Sequence, residues 1–113
     1  MPQYLIQASY TPEAWAAQVS NPQDRTQLLK PVLDQLGGKL LHAWFTFGDS
    51  DIVCIIEMAD NTAAAAFSIA GSGGGAIKSI KTTPLLSIAE GLEAMRKAAA
   101  SGYQPPRRAA AGG

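Results

Sequence analysis

The amino-acid sequence predicts an α+β domain, a four-stranded antiparallel sheet with helices on one face. Two observations carry this expectation. A turn rich in Gly, Asp and Ser, Thr46-Phe47-Gly48-Asp49-Ser50-Asp51, separates two apolar, β-prone runs, Lys39 to Phe47 and Asp51 to Met58. That is the local signature of a hairpin. On each side of it a helix-patterned segment leads to one further strand-patterned run, so the order reads β-α-β-β-α-β with a terminal helix.

Tyr4 to Tyr10 reads as the first strand, with Tyr4, Ile6, Ala8 and Tyr10 on one face and Leu5, Gln7 and Ser9 on the other. Thr11-Pro12-Glu13 then supplies a hydroxyl cap, a proline at the first helical position and an acid in the first turn. This short helix ends at Ser20-Asn21-Pro22, where Asn21 and Pro22 predict a second start. From there Leu28, Leu29, Val32, Leu33 and Leu36 recur at helical spacing, and Gly37-Gly38 stops the helix. The periodicity runs through Pro31, which should kink the helix or cost a backbone hydrogen bond near Gln27.

A turn centred between Asp49 and Ser50 would set Phe47, Phe45, Ala43 and Leu41 beside Ile52, Cys54, Ile56 and Met58 as a core face. The opposite face would then pair Thr46 with Val53, Trp44 with Ile55 and His42 with Glu57. Such a second apolar face is rarely left bare in water. Asp60 caps a third helix, Asn61 to Ala70, whose run of alanines suits close packing on a sheet; Gly71 to Gly75 ends it as a flexible loop. Ala76 to Leu86 is the fourth strand, with Pro84 marking an edge or a bend. Ser87-Ile88-Ala89-Glu90 matches a capping box and opens a last helix to about Ala100, with Leu92 and Met95 as its apolar contacts.

The whole is the ferredoxin-like pattern: β-α-β-β-α-β, a four-stranded antiparallel sheet and a C-terminal helix. Residues 1–102 form this domain. Residues 103–113, with Pro105-Pro106, Arg107-Arg108 and small residues, are expected to be a disordered tail.

Composition narrows the partners. The chain of 113 residues carries 9 Lys+Arg against 9 Asp+Glu, a balance that gives no electrostatic ground for nucleic acid or an acidic membrane. Charged residues are only 16% of the chain, so part of the surface is expected to be buried in a homo-oligomer, a dimer or higher. Cys54, the single cysteine, sits in an apolar run and reads as a small hydrophobe. No basic and apolar leader and no membrane-spanning run is seen, so the expected compartment is the cytoplasm.

Three stretches, Leu36-Gly37-Gly38-Lys39-Leu40, Thr46-Phe47-Gly48-Asp49-Ser50-Asp51-Ile52-Val53 and Thr82-Thr83-Pro84-Leu85-Leu86, resemble the small bacterial GYD-domain proteins over about residues 3 to 95. That family is named for a Gly-x-Tyr-Asp-like turn. Gly48 and Asp51 match it, while Ser50 stands in the place of the tyrosine. The resemblance implies a ferredoxin-like fold of the dimeric α+β barrel kind and brings no catalytic set with it.

The candidate sites each have a bland counterpart. Gly48, Asp49, Ser50 and Asp51, with Trp44 nearby, could hold a ligand; they could equally be a turn whose side chains bond local backbone. The isolated pair Asp49 and Asp51 lacks the remaining ligands of a calcium loop. His42 and Glu57 are the acid–base candidates, facing an interior cleft beside Trp44, or else a cross-strand pair satisfying itself at an interface. One His cannot make a His-rich metal centre, and neither a metal nor a cofactor is expected. The glycine run after the third helix precedes a strand, the reverse of a phosphate loop, and reads as a mobile connection over the cleft.

No motif assigns a reaction. The first reading is a small cytoplasmic homo-oligomeric module that binds a small ligand or a protein partner. The alternatives are a structural subunit of a larger assembly and, as the resemblance to dimeric α+β barrel proteins implies, a cofactor-independent monooxygenase or isomerase using His42. An open cavity lined by His42, Trp44 and Glu57 would favour the enzyme.

Overall fold

The computed structural model describes residues 1–106. Along the chain it forms β1 (Gln3–Tyr10), α1 (Pro12–Ser20), α2 (Thr26–Gln35), β2 (Lys39–Phe45), β3 (Ile52–Glu57), α3 (Asn61–Gly73), β4 (Ile77–Leu85) and α4 (Ile88–Ala100). The strands make one antiparallel sheet in the order β2-β3-β1-β4, the ferredoxin-like arrangement expected. β1 and β3 are central, so their alternate residues are the most deeply buried: Tyr4, Ile6, Ala8 and Tyr10 against Ile52, Cys54 and Ile56. Leu33 of α2 and Ala64 and Phe67 of α3 close the core over this face. Burial of each large apolar side chain here contributes about 1.5–3 kcal/mol. The buried Tyr4 hydroxyl donates to Asn61 Oδ1 at 2.6 Å, so its polar end is satisfied.

The caps form as their residues predict. Thr11 Oγ1 accepts from Ala14 N at 3.1 Å, Asp60 Oδ1 from Ala63 N at 2.8 Å, and Ser87 with Glu90 completes a reciprocal capping box. Pro31 lies within α2, and Pro84 lies on the edge strand β4. At the end of α2, Gly37 (φ 74°) lets Gly38 N–H reach back to the Leu33 carbonyl at 2.7 Å. Gly38 itself lies where a Cβ would meet the Glu57 carbonyl at 2.8 Å, so the chain can pass β3 there only without a side chain.

Four local expectations are corrected. The second helix starts at Thr26, not at Asn21-Pro22: Asp24 Oδ1 accepts from Thr26 N and Oγ1 at 2.9 and 2.6 Å, and this side-chain turn displaces the first helical turn. Asn21 instead ends α1. The hairpin is shifted by two residues. Phe45 faces Ile52, Ala43 faces Cys54, Trp44 faces Val53 and His42 faces Ile55; Leu41 is then a bulge before Leu40–Ile56 and Lys39–Glu57. The cause is a wider loop, closed by Thr46 N–H to the Asp51 carbonyl (2.8 Å) and Thr46 Oγ1 to the Ser50 carbonyl (2.7 Å), which leaves Phe47 fully exposed. From Phe45 to His42 the two-residue shift keeps each side chain on its face and changes its partner; past the bulge Leu40, not Leu41, lies on the core face opposite Ile56.

α3 continues through Gly71, Ser72 and Gly73 rather than stopping at Ala70, so most of the expected loop is helix. α4 forms but buries no residue; Leu92 and Met95, expected to pack, are exposed. It projects from the end of β4, and the chain reaches 64 Å in its longest dimension. Tyr103 to Pro106 is exposed and irregular, and the rest of the expected tail, 107–113, lies outside the described residues.

Candidate functional site

The sheet has two unlike faces. On the helical side, the small residues of α3 leave space opposite Ala8 and Cys54. The result is an apolar cavity of about 290 Å³ between α2, α3 and the sheet. Ile6 and Ile52 lie at its base, Ile77 and Ile80 along β4, and Leu29 and Phe67 on the helices. A Cβ added to Gly71 would touch Ile77 and Ile80 only at 3.9 Å, a direct measure of the room at that wall. Among the lining side chains, nitrogen or oxygen is carried by two, Tyr10 and Arg25.

Tyr10 is held by a network of long-range contacts. Its N–H donates to Asp51 Oδ2 at 2.9 Å, and the Trp15 indole N–H donates to the same oxygen at 3.1 Å. The two rings meet edge to face at 5.3 Å. Half-buried Arg25 lies over the Tyr10 ring, 5.9 Å from its centroid. Burial raises the Tyr10 pKa, with the Arg25 charge opposing, so the hydroxyl stays protonated at neutral pH. Burial likewise pushes the Cys54 thiol up to about 11, which keeps it from acting as a thiolate nucleophile.

The hairpin loop is tied to its own surroundings. Asp51 anchors Tyr10 and Trp15, and its N–H donates to the Ala8 carbonyl at 2.8 Å. The Asp49 carbonyl accepts from Ser9 Oγ at 3.2 Å, and the Ser50 carbonyl accepts from Thr46. Gly48 and Asp49 are exposed. Among the described residues no group of three His, Cys, Asp or Glu converges as a metal centre.

The other face of the sheet carries the acid–base candidates without joining them. His42 lies opposite Ile55, and Glu57 lies opposite Lys39, because the register is shifted. His42 instead stacks on Trp44, rings 5.6 Å apart at 13°. Trp44 is 53% exposed, and Leu5, Val53 and Ile55 beside it are half-buried. The cavity therefore lies across the sheet from His42 and Trp44. Sequence reasoning missed Tyr10, Arg25 and the cavity; the available signal was the run of Ala and Gly in α3 facing an apolar strand.

This fold and cavity define a ferredoxin-like α+β domain with an apolar chamber under its helices. The GYD domain matches residues 4–95, and the chain belongs to the GYD-domain family. Among solved structures it is similar to a transcriptional regulator of Neisseria meningitidis in complex with L-Met. The identity is 16% and the TM-score 0.49, over 77% of this chain and 51% of that one. This chain thus spans about half the length of that regulator. No curated protein matches it.

Proposed function

We propose that the chain is a small-molecule-binding module whose ligand occupies the chamber between α2, α3 and the sheet. The observation that carries this is the chamber itself. An open apolar cleft of about 290 Å³ leaves hydrocarbon facing water, and an apolar ligand that covers it would stabilise the folded chain. Its lining, apolar with two polar groups, is the usual make-up of a ligand pocket. Binding of 1-octanol, a mostly apolar probe of matching size, to the native protein tests this by calorimetry. Wild type should bind it and Gly71→Leu, which fills the chamber, should not; equal heats from both would refute the site.

The homo-oligomer is proposed on a separate observation. Leu5, Val53, Ile55 and Trp44 form an apolar patch on a sheet face that none of α1 to α3 covers, and Ile88, Leu92 and Met95 of α4 are exposed on the same chain. A second copy supplies cover for both. Trp44→Asp should then lower the mass seen by light scattering at micromolar concentration, and an unchanged mass would refute a sheet-to-sheet contact. The enzymatic alternative would rest on His42, with Glu57 on the same face but opposite Lys39.

A further inference from the structure

Resting on that ligand-binding reading, we infer that the ligand is an anionic amphiphile: an apolar body in the chamber and an acidic head paired with Arg25. The wall sorts by chemistry. Ile77, Ile80, Leu29 and Phe67 offer nothing but hydrocarbon, so the enclosed part of the ligand must be apolar. At ~30 Å³ for each water-sized group, the volume admits a body of about ten non-hydrogen atoms.

The head group follows from Arg25. It is half-buried at the lining of an apolar space, and among the described residues it forms no ion pair; Arg96–Glu93, out on α4, is the pair that does form. A guanidinium partly removed from water, with five donors in a planar fork, is matched by a carboxylate or phosphate. The Asp51 carboxylate spends Oδ2 on the Tyr10 N–H and the Trp15 indole. What Arg25 does contact is the face of Tyr10, which fixes its position without neutralising its charge. Tyr10 lines the same chamber beside Arg25, and its hydroxyl offers a second donor for the same head. Positive charge and hydrocarbon therefore meet at one place in a protein whose formal net charge is zero.

Three probes of matched length separate the terms: octanoate, 1-octanol and octylamine, titrated by calorimetry into the full chain. Octanoate should bind wild type at least tenfold more tightly than 1-octanol, with octylamine weakest, because charge-assisted hydrogen bonds to a guanidinium are worth about ten- to a hundredfold. Arg25→Gln should bring octanoate to the level of 1-octanol and leave 1-octanol unchanged, and Arg25→Lys should recover part of the difference. Methyl shifts of Ile77 and Ile80 on titration would place the bound chain.

Equal affinity of wild type for octanoate and 1-octanol, with no effect of Arg25→Gln, would overturn the anionic head and leave the chamber as a binding site. Preference for octylamine would do the same. Binding of none of the three, with the Ile77 and Ile80 methyls unmoved, would overturn both the inference and the reading it rests on. Folding of each variant is read independently from its circular dichroism melt.

Discussion

Replacing Gly71 with alanine adds one methyl to the chamber wall, and two effects can be worked out in advance. Gly71 is helical, without positive φ, so alanine relieves the entropic cost of glycine in the last turns of α3, about 0.5–1 kcal/mol. The new Cβ meets Ile77 Cγ1 and Ile80 Cδ1, each at 3.9 Å, an ordinary contact with no clash. Burying part of a methyl there adds about 0.5 kcal/mol. The variant should therefore be more stable by about 1–1.5 kcal/mol, a rise in Tm of about 4–10 °C. It should also bind an apolar probe more weakly, because the same methyl occupies ligand space. Gly73→Ala is the control: it lies in the same helix, and a Cβ there meets nothing within 4 Å. It should gain only the helix term, about 0.5 kcal/mol at this terminal position, and leave binding unchanged. Urea unfolding and probe titration on the three proteins supply both readings. A destabilised Gly71→Ala, or one that gains stability with binding intact, would refute the chamber geometry.

Other expectations follow from single contacts. Gly38→Ala should cost about 1–3 kcal/mol in urea unfolding, because its Cβ meets the Glu57 carbonyl at 2.8 Å and Met58 Sδ, and backbone cannot yield as a side-chain tip can. Asp51→Ala removes the acceptor shared by the Tyr10 N–H and the Trp15 indole; a loss of about 1–3 kcal/mol and a changed tryptophan fluorescence are expected, and a neutral outcome would show that water replaces it. Stability should also fall at alkaline pH. The unfolded Cys54 thiol ionises near 9, whereas the folded one holds its proton to about 11, so the unfolded state binds fewer protons across that window. The slope is up to about 1.4 kcal/mol per pH unit, and Tyr10, also raised by burial, acts in the same direction. Cys54→Ala should flatten the curve between pH 9 and 11.

The sequence was most legible where one residue decides one thing. Thr11, Asp60 and Ser87 cap helices, and the alternation of Tyr4, Ile6, Ala8 and Tyr10 defines the buried face of β1. The hairpin was visible as a hairpin, but its register depended on Thr46 bonding Ser50 and Asp51 across a wider loop, and turn composition does not carry that choice. His42 and Glu57 lost each other through those two residues and the bulge at Leu41. The start of α2 turned on Asp24, whose side chain outcompeted the Asn21-Pro22 signal. The chamber was the least legible. The Ala and Gly residues of α3 fit close packing and open space equally well, and only the placement of α2, α3 and β4 together decides between them. Arg25 over Tyr10 joins residues from two elements with no shared motif.

The most direct test of the central claim is native mass spectrometry of the protein as purified, compared with the same sample denatured. A ligand in the chamber appears as extra mass on the folded chain that is lost on denaturation, and Gly71→Leu should be purified without it. An adduct carried equally by wild type and Gly71→Leu would contradict the chamber as its seat. A folded chain of bare mass that stays bare after incubation with octanoate and with 1-octanol would contradict the account of this domain as a binding module.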